Sequence, residues 1–129
     1  MIRRISFLFS LVLGLALLST GCKKDDNPTS PIVGIWKVYA YDGVLVTDPC
    51  EMQSTVQFNA DNTGMAIEKD LEENNDCTTT VISFKYSYSN NKLVVTSLNT
   101  GDVTNVDVMI NNNTLTLSNG EGGVIIYKR

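Results

Sequence analysis

The chain of 129 residues contains no histidine. That removes the side chain whose ordinary pKa lies nearest neutrality, and with it the commonest general base and metal ligand. Neither a Ser-His-Asp nor a Cys-His set can be assembled, and no catalytic residue or cofactor is expected. Positive charge is also scarce, with 10 Lys and Arg against 14 Asp and Glu and a formal net charge of −4. The basic patch that holds nucleic acid is missing, so nucleic acid is excluded as a partner. Helical periodicity is absent downstream of the first residues, and there is a single tryptophan, Trp36. Cysteine is sparse, at Cys22, Cys50 and Cys77.

The longest apolar run, Ile5 to Leu18, follows the positive start Met1-Ile2-Arg3-Arg4. At about 14 residues it is short of the roughly 20 that a spanning helix needs, and it reads as a signal peptide. The run closes on Leu18-Ser19-Thr20-Gly21-Cys22, which resembles the lipobox of bacterial lipoproteins, with the usual leucine displaced by one position. That resemblance implies a lipid on Cys22 and a membrane as partner. Several acyl chains on one cysteine would anchor the protein durably, at about 0.8 kcal/mol per buried CH₂. Lys23-Lys24-Asp25-Asp26 resembles the short signals that follow the lipid cysteine in Bacteroidota-type surface lipoproteins. It implies the cell-surface side of the outer membrane, the periplasmic face being the alternative. The organisation is thus a signal peptide over 1–21, anchor and linker over 22–31, and a domain over 32–129. Losing Arg3 and Arg4 with the leader would take the net charge to about −6.

From Ile32 on, apolar residues alternate with period two and turn signals recur at short intervals. The strands are expected at Ile32–Tyr41, Ser54–Asn59, Gly64–Lys69, Thr78–Tyr88, Lys92–Leu98, Val103–Ile110, Thr114–Ser118 and Val124–Lys128. Val44–Pro49 is a loop or a short extra strand, and Asp70–Asp76 an acidic, loosely ordered loop. Gly64 is expected to supply a positive φ to the turn that begins at Asp61. Trp36, Val38 and Ala40 share one face, as do Val56 with Phe58, Ile82 with Phe84, Tyr86 and Tyr88, and Val106 with Val108 and Ile110. Eight strands joined by hairpin turns make an all-β antiparallel up-and-down barrel, which leaves no edges. A two-sheet β-sandwich is the alternative.

With Cys22 set aside, Cys50 and Cys77 form an even pair, as an oxidising compartment favours. They precede the second and fourth strands, which start at the same end of an up-and-down barrel, so a disulfide is within reach. Closing that loop would stabilise by roughly 3.5 kcal/mol in the chain-entropy model. Two free thiols, or a two-cysteine metal site, are the alternatives.

Val33-Gly34-Ile35-Trp36-Lys37-Val38 resembles the Gly-x-Trp opening strand of lipocalin-like proteins. Asp48-Pro49-Cys50, Phe58-Asn59-Ala60-Asp61-Asn62-Thr63-Gly64 and Cys77 follow in the order found in small bacterial lipocalin-like lipoproteins, with Asn62 where glycine is usual. The resemblance implies that Trp36 packs across one end of a barrel. It implies a fold more than an activity. Trp36, Phe58, Phe84, Tyr86 and Tyr88 are candidate pocket-lining residues for a lipid, glycan or peptide, with core packing the favoured reading. Asp70, Glu72, Glu73, Asn74 and Asp76 crowd oxygen atoms without the Asp-x-Asp-x-Asp-Gly spacing of a calcium loop, and read as a solvated turn, so no metal is expected. The function that emerges is a non-catalytic binding module for a small or extended ligand. The alternative is an accessory envelope protein with a filled barrel that acts through contact with another protein.

Overall fold

A computed structural model of the chain describes residues 30–129. The expected signal peptide, Cys22 and the linker as far as Thr29 lie outside the described residues. Nine strands follow one another: β1 Gly34–Tyr41, β2 Val44–Leu45, β3 Thr55–Phe58, β4 Thr63–Leu71, β5 Cys77–Ser89, β6 Lys92–Ser97, β7 Val103–Asn111, β8 Thr114–Ser118 and β9 Val124–Lys128. Every neighbouring pair from β3 to β9 is antiparallel, β1 pairs with β3, and β9 returns to β1. Eight strands therefore close a barrel. The two-residue β2 lies beyond β3 on the same edge of β1, opposite the edge that β9 takes. A single 3-10 turn, Glu51–Gln53, precedes β3.

The turns show why this sequence makes hairpins. Asn90 and Asn91 both carry positive φ, 50° and 59°, as a two-residue primed turn requires. Asp42 and Gly43 do the same between β1 and β2. In the turn between β3 and β4 the positive φ belongs to Asn62, at 66°, not to Gly64. Gly64 lies in β4 opposite Phe58 and Phe84. It is needed there because a Cβ would come within 2.3 Å of the Phe84 ring and 2.5 Å of the Gln57 carbonyl oxygen. The 70–76 segment is also more regular than its composition suggests. β4 runs through Asp70 and Leu71, paired with Thr78 and Cys77. Only Glu72–Asp76 forms the turn, closed by the Glu72 N–H donating to the Asp76 carbonyl.

β1 begins at one end of the barrel, together with the 59–62, 90–91 and 112–113 turns and Arg129. This is the closed end. The core concentrates towards it: Ile32, Trp36, Val56, Phe58, Phe84, Tyr86, Leu93, Val108 and Leu115 are buried in one cluster. β1 finishes at the other, open end, with the 3-10 turn and the 72–76, 98–102 and 119–123 turns. Cys50 and Cys77 are joined there, with Cα atoms 5.7 Å apart, tying the β4–β5 hairpin to the segment entering β3. Ser54 reinforces this tie, since its Oγ accepts from the Lys69 N–H at 2.9 Å.

Candidate functional site

The aromatic residues singled out in the sequence divide from the cavity. Trp36 is fully buried, and its Nε1–H donates to the Ile32 carbonyl at 2.8 Å, which folds residues 30–33 under the closed end. Phe58 meets Phe84 and Tyr86 edge to face, with ring centroids 5.5 and 5.1 Å apart. Such contacts stabilise beyond the area they bury. The Tyr86 hydroxyl donates to the Asn59 carbonyl at 2.6 Å. Its pKa is raised, chiefly by burial and then by Asp61. Tyr88 is half-buried beside this cluster. These side chains fill the closed end against one another.

A cavity of about 310 Å³ lies at the open end, lined by Tyr41, Asp42, Val106, Leu117, Asn119, Gly123, Val124 and Ile125. None of the five aromatic candidates is among these residues. Val106, Leu117 and Ile125 reach it from the inward faces of β7, β8 and β9, in register with Leu93, Val108 and one another. Tyr41 arrives differently. The β1–β9 register slips between Val38 and Ala40, so Tyr41 pairs with the inward-facing Ile125 instead of pointing out. Such a bulge re-aims the strand by one residue. The Asp42 carboxylate accepts from the Val124 N–H at 2.7 Å and fixes the β1 end to the last turn. Asn119 Oδ1 accepts from the Glu121 and Gly123 N–H groups, each at 3.0 Å.

The electrostatics of this end are negative. Burial pushes the Tyr127 hydroxyl pKa well up, with Tyr41 and Glu68 adding to it. Tyr41 is raised by burial first, then by Glu68, Glu51 and Asp70. Glu68 and Asp70 occupy the positions of β4 that continue the inward register of Gly64 and Ala66. No lysine or arginine lines the cavity. Lys69 turns to Thr79, Lys128 lies over the Tyr39 ring, and Lys92 pairs with Asp107 on the outer surface. Among the described residues no three His, Cys, Asp or Glu side chains gather as a metal site. Asn74 and Asp76 bond to one another across the 72–76 turn.

A closed up-and-down barrel, with an aromatic core at one end and a half-open pocket against β1 and β7–β9 at the other, is the architecture of small β-barrel proteins. The chain belongs to the lipocalin-like domain family, whose model matches residues 32–117. Comparison with curated proteins gives no match.

Proposed function

We propose that this protein is a non-catalytic binding module that takes a small, largely apolar ligand into the open end of its barrel. The observation that carries the reading is the cavity between Tyr41, Val106, Leu117 and Ile125, whose walls are aliphatic and whose rim is polar. Its volume falls at the small end of the usual ligand-pocket range, about 300–1,000 Å³. The filled aromatic end limits its depth, so a compact molecule fits better than a long acyl chain. Glu51, Glu68 and Asp70 set a negative potential near Tyr41, which favours a neutral or cationic ligand over a carboxylate. The lipobox-like sequence ending at Cys22 supports a module held on the outer membrane, facing the cell surface, with its ligand or an envelope partner met outside the cell.

Titration with Nile red, a neutral apolar dye, tests the site. The wild-type barrel takes it up saturably, and Leu117→Trp, which fills the cavity, abolishes uptake while the melting temperature stays close to wild type. Equal uptake by both proteins would place binding elsewhere.

A further inference from the structure

The β4–β5 hairpin reaches past the rest of the barrel. From Cys77 to Ile82, β5 pairs with β4 alone, because its ladder with β6 starts at Phe84 opposite Ser97. Two bonds fix where its backbone groups point. The Tyr86 N–H donates to the Asn62 carbonyl on the β4 side, and the Ser83 carbonyl accepts from the Leu98 N–H on the β6 side. These directions alternate along an antiparallel strand, so Cys77, Thr79 and Val81 aim N–H and C=O at the open edge. Exposed edges are normally guarded by lysine, proline, a bulge or brevity. Here the edge reads Cys-Thr-Thr-Thr-Val-Ile, uncharged and mostly β-branched, with an unbroken register to β4.

We propose that this edge pairs antiparallel with the same edge of a second copy of the chain, with Thr79 opposite Thr79 on a two-fold axis. In that register the outward-aimed groups of Cys77, Thr79 and Val81 face those of Val81, Thr79 and Cys77. Sliding one copy further towards the barrel would set it against Ser83, whose carbonyl already serves Leu98. The side chains favour the same answer. Leu71 sits beside Cys77 and Ile67 beside Val81 on the outer face. Pairing joins them into two apolar rows, each Leu71–Cys77 of one copy against Val81–Ile67 of the other. Leu71 and Val81 are 42% and 47% exposed in the single chain, and each row needs half of its members from each copy. Lys69, which donates to Thr79 at 2.7 Å, is kept from its counterpart by the two central strands. An unrelated peptide would satisfy the backbone, but nothing on this threonine edge selects its side chains. The contact is short and therefore of the transient kind.

The strands that close the barrel all come from residues 34–128, so a soluble chain of residues 23–129 serves for the test. In sedimentation equilibrium its average mass rises with concentration towards twice the monomer value. Thr79→Lys sets like charges opposite each other at the axis and holds the protein monomeric, still folded but with a slightly lowered melting temperature because Lys69 lies beside it in the same chain. Thr79→Cys crosslinks on mild oxidation, since hydrogen-bonded antiparallel partners stand about 5.5 Å apart, within disulfide reach. Val103→Cys, a control at another exposed strand position, does not. A wild type monomeric at every concentration, a dimer that survives Thr79→Lys, or equal crosslinking at 79 and 103 would overturn the proposal.

Discussion

The Arg129 guanidinium lies over the Trp36 ring, 4.1 Å from its centroid, and seals the closed end of the barrel. Its Nη1 also donates to the Val33 carbonyl at 3.0 Å, so the first and last residues of the barrel are held through one side chain. Gly34 leaves the room, since a Cβ there would stand 3.1 Å from that nitrogen. Trp36→Ala is expected to lose about 3–5 kcal/mol in urea unfolding, as a fully buried aromatic does. Arg129→Ala loses about 1 kcal/mol, the sum of a cation–π contact and a partly exposed hydrogen bond. An Arg129→Ala loss as large as that of Trp36→Ala would mean the ring depends on its cover to stay packed.

The Cys50–Cys77 bond closes a loop of 27 residues at the open end. Replacing both cysteines by serine is expected to cost roughly 3.5 kcal/mol in the chain-entropy model. For a domain of this size that lowers the melting temperature by roughly 15 °C. Calorimetry with and without reductant checks it. An unchanged transition would show that the hairpin is held by its ladder and by Ser54 alone.

Gly64 and Asn62 give opposite expectations although they stand two residues apart. Gly64→Ala drives a methyl group into the Phe84 ring and the Gln57 carbonyl, and overpacking of this kind costs about 1–3 kcal/mol or more. Asn62→Gly keeps the positive φ of the turn and stays within about 0.5 kcal/mol of wild type. Chemical denaturation of the two variants side by side separates a packing glycine from a turn glycine.

Tyr127 makes the fold sensitive to base. Its pKa in the folded barrel is raised above the unfolded value, by burial first and then by Tyr41 and Glu68. A group raised in this way contributes its full stability below the unfolded pKa, about 10 for tyrosine. That contribution is lost as pH climbs from there towards the folded pKa. Stability should therefore fall from about pH 10 upward, and Tyr127→Phe should flatten the fall while changing little at neutral pH. An identical alkaline profile for both proteins would show that Tyr127 ionises without unfolding.

Much of the barrel was legible because two-residue periodicity is a direct image of an inside and an outside. Trp36, Val38 and Ala40 are the buried positions of β1, as the sequence predicts, and Asn90-Asn91 turns the chain where its composition says it should. With Cys22 set aside, strand order brought Cys50 and Cys77 to one rim, where they are joined. The cavity was not legible, for a physical reason. Its wall is assembled from ordinary residues of four strands and two turns, and Tyr41 enters it only through the slip at Ala40. Phe58 and Phe84 pack edge to face in the core at the closed end, the packing their inward alternation favours, since large rings fill space more readily than they leave it. The free edge of β5 was equally hidden, because a strand's length is readable and the absence of its neighbour is not.

Native mass spectrometry of the full-length protein purified from its native cells tests the proposed binding at the open end most directly. The wild-type barrel should carry a reproducible excess mass of one small molecule, released on denaturation and missing from Leu117→Trp. A bare protein mass for both, under conditions that preserve the fold, would contradict the binding role and leave the outer surface as the working part of the molecule.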